Sequence, residues 1–159
     1  MMRFGGTVQP IGVVDVSALV AWVTAIPFED WPQQSRLEDG QIRPAMVNSP
    51  AWHGFERETY SVVYAVRWLL PTYLESTLRM LSVVMPGHSI PPHVDQQPPR
   101  CWGRVHVPLT SNDASVFTVD GEAHVLDVGH AYAVNTRREH SVSNAGETPR
   151  IHLMIDWEW

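Results

Sequence analysis

The chain has 159 residues, 44% of them hydrophobic, and a formal net charge of −6; this size and composition fit a single globular domain with a substantial core. The acidic balance argues against nucleic acid as a partner, which usually demands a basic face, and thirteen prolines with ten glycines argue against a mainly helical bundle. No apolar run approaches the roughly 18–20 residues of a membrane helix, and the one cysteine, Cys101, rules out an internal disulfide and fits a reducing compartment.

In chain order, the N-terminal "MMRFGGTVQPIGVVDV" has glycines, a proline and an aspartate where a signal peptide would keep an apolar core. The expectation is a cytoplasmic protein with no membrane association. Residues 3–9 are read as a first strand. Asp15 or Ser17 is placed to cap a helix reaching Ile26, with Val16, Leu19, Val20 and Val23 at helical spacing, and Pro27 stops it. Residues 27–54, with Trp31, Arg36, Trp52 and His53, read as loops with at most one short strand. "ETYSVVYAVRWLLPTYLES" over 58–75 reads as helical, broken near Pro71. From Leu78 onward, short runs rich in Val, Leu and Ile recur between turn signals such as Asp120-Gly121 and Val128-Gly129. That spacing predicts a jelly-roll-type β-fold beneath an α-helical N-terminal layer. The whole is expected to be one domain, 1–77 forming the layer and 78–159 the β core.

Alternate strand residues face the same side. "RVHVPL" therefore sets Arg104 and His106 against Val105, Val107 and Leu109. "RIHLMID" sets Arg150, His152, Met154 and Asp156 against Ile151, Leu153 and Ile155. One face of each strand is core; the other carries cations and imidazoles. The plain alternative is a solvated face, with Arg150 in a surface ion pair with Glu147 or Asp156. In "PGHSIPPHVD", Pro91-Pro92 favours an extended backbone, which places His93 and Asp95 about 6–7 Å apart on one side. An H-x-D tripeptide alone is a weak signal. Its third ligand could come from His106, His124, His130, His140 or His152; His140 stands out, opening "HSVSN" ten residues before Arg150. Two histidines and a carboxylate occupy one face of an octahedral Fe(II) and leave positions open for oxygen chemistry.

The pieces "LSVVMPGHSIPPHVD", "RVHVPLTSN", "VGHAYAVNTRREHSVSNAG" and "RIHLMIDW", in this order and spacing, resemble the aspartyl/asparaginyl β-hydroxylase branch of the Fe(II)/2-oxoglutarate oxygenases. The resemblance covers about Leu78 to Trp159 and implies a double-stranded β-helix, a cupin-like jelly roll. It implies His93, Asp95 and His140 as iron ligands and Arg150 as the partner of the far carboxylate of 2-oxoglutarate, with Ser82, Arg104 and His106 as further contacts. Some members lack the acidic ligand; Asp95 aligns this chain with those that keep it and argues against a halogenase. Asn135, Arg137, Trp102 and His152 are candidates for substrate contact at the pocket mouth. His88 reads as structural or solvated, and Met80, Met85 and Met154 as core. The implied reaction hydroxylates an unactivated C–H bond, with O2 as cosubstrate and succinate and CO2 as co-products. A small molecule such as a free amino acid is the first expectation for substrate. An Asp, Asn or Pro side chain in a protein or peptide is the second. The rival readings are a cupin-like metal protein that does not use 2-oxoglutarate and a non-catalytic jelly-roll module.

Overall fold

A computed structural model describes residues 4–27, 41–42, 54–71, 73–97 and 99–158. Two antiparallel sheets face each other. The larger has the order β1-β8-β5-β10-β3-β2 and the smaller β4-β9-β6-β7. The strands are β1 (Val8–Val13), β2 (Gln41–Ile42), β3 (Glu75–Val84), β4 (His88–His93), β5 (Cys101–Thr110), β6 (Ser115–Val119), β7 (Glu122–His124), β8 (His130–Val134), β9 (His140–Asn144) and β10 (Arg150–Glu158). Helices α1 (Ser17–Thr24) and α2 (Phe55–Arg67) contribute to the core on one side of the larger sheet. This is a double-stranded β-helix.

The core splits in two. Ile151, Leu153 and Ile155 of β10 and Val105, Val107 and Leu109 of β5 pack with Leu19, Val23, Val62 and Val66 of the helices. Trp157 joins this cluster and ties the last strand to the helical layer. A smaller cluster lies between the sheets: Val84, Ile90, Phe117, Val119, Leu126, Tyr132, Val134 and Val142. The alternation read in "RVHVPL" and "RIHLMID" is therefore a division between helix-facing core and sheet-facing interior. β10 lies between β3 and β5 and is buried along both faces until Glu158.

Local differences from the sequence reading have physical causes. The first strand runs over Val8–Val13 rather than 3–9, because its ladder partner β8 offers His130–Val134 in antiparallel register. α1 ends at Thr24, and the N–H groups of Ala25 and Ile26 close a tighter last turn on Trp22 and Val23. Asp15 sits before the helix and accepts the Ser17 N–H at 2.9 Å and its hydroxyl at 2.6 Å. α2 starts earlier than read, at Phe55, and ends before Pro71; Glu75 already belongs to β3. "AHVLDV" pairs only as far as His124, after which Leu126 turns into the inter-sheet core while Val125 and Val128 stay exposed. The β6–β7 turn is Asp120-Gly121, both at positive φ (49° and 80°), the two-residue hairpin geometry that suits this dipeptide. Trp31, Arg36, Trp52 and His53 lie outside the described residues.

Candidate metal centre

Pro91 and Pro92 have no N–H to give the ladder, and the β4–β9 register shifts between Ile90 and His93. Past that irregularity His93 pairs directly with His140. Asp95 follows, its N–H held by the Thr136 carbonyl at 2.9 Å. The two imidazole rings lie 4.2 Å apart between centroids. Each is oriented in the same way: Nδ1 lies 2.8 Å from the Pro91 carbonyl in His93 and 3.0 Å from the Arg138 carbonyl in His140. A ring nitrogen facing a carbonyl must carry the proton, so both Nε2 lone pairs are left free. They face Asp95, at 3.7 Å from Oδ1 for His93 and 3.8 Å from Oδ2 for His140. One ligand atom from each residue lies within 4.8 Å of the others, and these three form the one such cluster among the described residues. Burial, partly countered by the Arg138 carbonyl, holds the His140 pKa below its usual value, which favours the neutral ring that binds metal.

The cluster opens into a cavity of about 140 Å³ between the sheets. Ser82, Arg104, His106 and Arg150 line it from the larger sheet, Ile90, Phe117 and Val142 from the smaller. Two arginines meet it in different states. Arg104 gives Nε and Nη2 to Asp156, at 2.7 and 2.9 Å, and Nη1 to Asp95 Oδ2 at 2.5 Å. Burial alone would lower its pKa, but the Asp156 and Asp95 carboxylates raise it. Arg150 is 2% exposed and no carboxylate pairs with it among the described residues; its contacts are His152 Nδ1 at 2.7 Å, Ser82 Oγ at 3.5 Å and the Phe117 ring at 5.9 Å. Burial drives its pKa down from 12.5 to about 9. Both ring nitrogens of His106 and Nε2 of His152 are buried without a hydrogen-bond partner. A buried cation and orphaned polar atoms around one cavity are the signature of a missing polar ligand.

A family model described as aspartyl/asparaginyl beta-hydroxylase matches residues 58–158. The chain belongs to this family. No curated protein sequence matches it. Among solved structures, an oxidoreductase of the 2OG-Fe(II) oxygenase family from Burkholderia pseudomallei is 16% identical, with 87% of this chain and 77% of that chain covered and a TM-score of 0.61. A prolyl-4-hydroxylase from Pseudomonas putida is 15% identical, with 96% and 91% covered and a TM-score of 0.60. A viral collagen prolyl hydroxylase from Paramecium bursaria Chlorella virus-1, in its 2OG complex, is 9% identical, with 96% of both chains covered and a TM-score of 0.60. At these identities the likeness shows the shared fold. Family membership together with the His-Asp-His cluster makes this a 2-oxoglutarate- and Fe(II)-dependent oxygenase.

The residues present fit both groups. Two imidazoles and a carboxylate suit Fe(II) and leave half its coordination sphere open. The permanent charges of Arg104, Asp156, Asp95 and Arg150 cancel. A divalent metal then leaves the oxygenase site two positive, which a dicarboxylate neutralises.

The other predicted residues fall into two groups. His152 stands behind Arg150, accepting its N–H, with its ring edge-on to His106 at 5.8 Å. Asn135 donates to the Phe4 carbonyl, Arg137 to the Cys101 carbonyl, and Trp102 packs on Phe4; none of the three lines the cavity. His88 is exposed beside the Pro86 carbonyl, and His124 and His130 also lie outside the cavity lining. Met80 and Met154, read as core, line the cavity, Met154 as a buried residue. They are cross-strand partners on the faces that carry Ser82 and Arg150, so strand alternation applied to β3 and β10 could have found them. Phe117, Ile90, Val142, Thr136 and Gln96 complete the lining; their sequence context is that of ordinary strand and loop residues.

The buried imidazoles predict an acid weakness. Burial, reinforced by the Arg150 charge, holds both His106 and His152 well below 6.5. The unfolded chain takes up these protons near pH 6.5 and the folded chain does not, so stability is full above that pH and is lost as pH falls toward the folded pKa values. Each group contributes about 1.4 kcal/mol per pH unit in that window. Urea unfolding of the metal-free protein at pH 7.5 and 5.5 should show this loss, and His106→Gln should reduce the slope by one proton.

Proposed function

We propose that the protein hydroxylates an unactivated C–H bond of a small molecule, such as a free amino acid or a derivative. Arg150 carries the cosubstrate part of this reading: a buried guanidinium with no carboxylate partner among the described residues, set beside a facial donor set. Fe(II), 2-oxoglutarate and O2 together supply the oxidising power, converting the cosubstrate to succinate and CO2 as one oxygen atom enters the substrate.

The protein's own residues set the geometry. His93, Asp95 and His140 hold the metal on one side. Arg150 takes the far carboxylate of the cosubstrate through its planar fork, with Ser82 beside it. The Nδ1 of His152 accepts one Arg150 N–H and so fixes the direction of the fork. His106 offers an unpartnered ring nitrogen to the same ligand. Phe117, Met80, Met154, Ile90 and Val142 give the cavity apolar walls that keep water from the reacting centre. Among the described lining residues, no charge remains for the ammonium or carboxylate of a free amino acid. Recognition of those groups falls to residues outside this lining.

The test is succinate release with Fe(II), ascorbate and 2-oxoglutarate against an amino-acid library and a peptide library. Succinate and a product 16 Da heavier from a free amino acid support the proposal. Product from peptides alone would move the substrate to a protein side chain. Absence of both 2-oxoglutarate binding and turnover would favour a cupin-like metal protein.

A further inference from the structure

The two arginines of the cavity were expected to share one task, holding the cosubstrate. Their surroundings separate them. Arg150 meets no carboxylate among the described residues, whereas Arg104 sits between two. Arg104 and Asp156 are directly opposed on β5 and β10, so the sheet register itself presents the fork of one to the carboxylate of the other. The bidentate pair leaves Nη1 aimed at Asp95 Oδ2. Asp156 is 5% exposed, is absent from the cavity lining and cannot reach a ligand there. With its charge matched twice over, Arg104 offers a dianion little net attraction.

We infer that Asp156 is a positioning residue for the iron site: it clamps Arg104, and Arg104 in turn holds one oxygen of Asp95 so that the other is presented to the metal. A carboxylate bound in this way is kept monodentate: Oδ2 is engaged by Arg104 while Oδ1 stays free, 3.7 Å from His93 Nε2, which preserves the open coordination positions. The chain of contacts Asp156–Arg104–Asp95 thus ties the iron ligand that lies beyond the end of β4 to the central strands of the opposite sheet. This inference rests on the assignment of His93, Asp95 and His140 as the metal ligands.

The test uses Co(II) in the full-length protein, without 2-oxoglutarate, followed by calorimetry and by the visible absorption of the bound ion. Asp156→Asn should weaken Co(II) binding by about 10–100-fold, the loss typical of outer ligand-orienting groups, and should change the Co(II) spectrum as Asp95 is released. The affinity of the Co(II)-saturated variant for 2-oxoglutarate should stay close to that of wild type. Asp156→Asn leaves Arg104 with one buried carboxylate fewer and risks misfolding. The double variant Arg104→Met/Asp156→Leu removes both charges together, keeps a packed interior, and should show the same Co(II) loss. Wild-type Co(II) affinity and spectrum in the folded variants would overturn the inference, as would a loss confined to 2-oxoglutarate affinity. Failure of the wild-type protein to bind Co(II) would instead overturn the metal-site assignment on which it rests.

Discussion

Arg150→Met should abolish 2-oxoglutarate binding while leaving the ligand-free protein as stable as wild type or more so. Most buried-site substitutions destabilise, so a rise in stability is a specific signature. The cause is electrostatic. A guanidinium pushed down to about 9 by burial alone costs the folded state on the order of 5 kcal/mol at neutral pH. Methionine fills comparable space without the charge. The change also strands His152 Nδ1, which loses its donor, at a cost of about 1–3 kcal/mol. The net gain should be about 2–4 kcal/mol, which raises Tm by about 4–16 °C in a domain of this size. The wild type recovers its deficit only when a carboxylate arrives, so 2-oxoglutarate should raise its Tm and leave that of the variant unmoved. Differential scanning of both proteins, with and without cosubstrate, checks this. A variant that loses stability yet still responds to 2-oxoglutarate would mean that Arg150 is a structural cation.

His140→Ala should remove the metal response altogether. His140 supplies one of two imidazole nitrogens whose lone pairs converge on Asp95. Its loss should cost more than the about 100-fold that marks the upper range for outer-sphere partners. At a metal concentration 100 times its Kd the wild type gains about 2.7 kcal/mol, a Tm rise of about 5–10 °C. The variant should show no such rise, and chelator should lower the Tm of the wild type alone. His93→Ala should behave alike, because the two rings are paired across β4 and β9 and oriented by the same kind of carbonyl contact. A metal-dependent Tm shift that survives in both variants would place the metal elsewhere.

Much of the β core was legible from punctuation and alternation. Gly and Pro marked the turns, and the period of two in "RVHVPL" and "RIHLMID" separated helix-facing core from cavity. The donor residues were legible because the resemblance supplied His140 from the histidines that spacing alone left open. What could not be read was pairing. The plain alternative for Arg150 was an ion pair with Glu147 or Asp156, but in the sheet Asp156 lies opposite Arg104. Strand register is set by the whole sheet and leaves no mark within one strand. The same limit hid the cavity walls, because Phe117 and Met80 differ from core residues only in what they face across the gap. The bounds of α2 shifted because its first turn begins at Phe55, next to a glycine at φ 104°, a backbone state that no hydrophobic period announces.

One cavity should hold a metal and a dicarboxylate as a unit. Anaerobic calorimetry of 2-oxoglutarate into Fe(II)-loaded and metal-free protein measures this coupling. Binding should be one-to-one, markedly tighter with Fe(II), and lost in Arg150→Met while Fe(II) is retained. Equal affinity with and without the metal, or binding untouched by Arg150→Met, would mean that metal and dicarboxylate do not share this cavity.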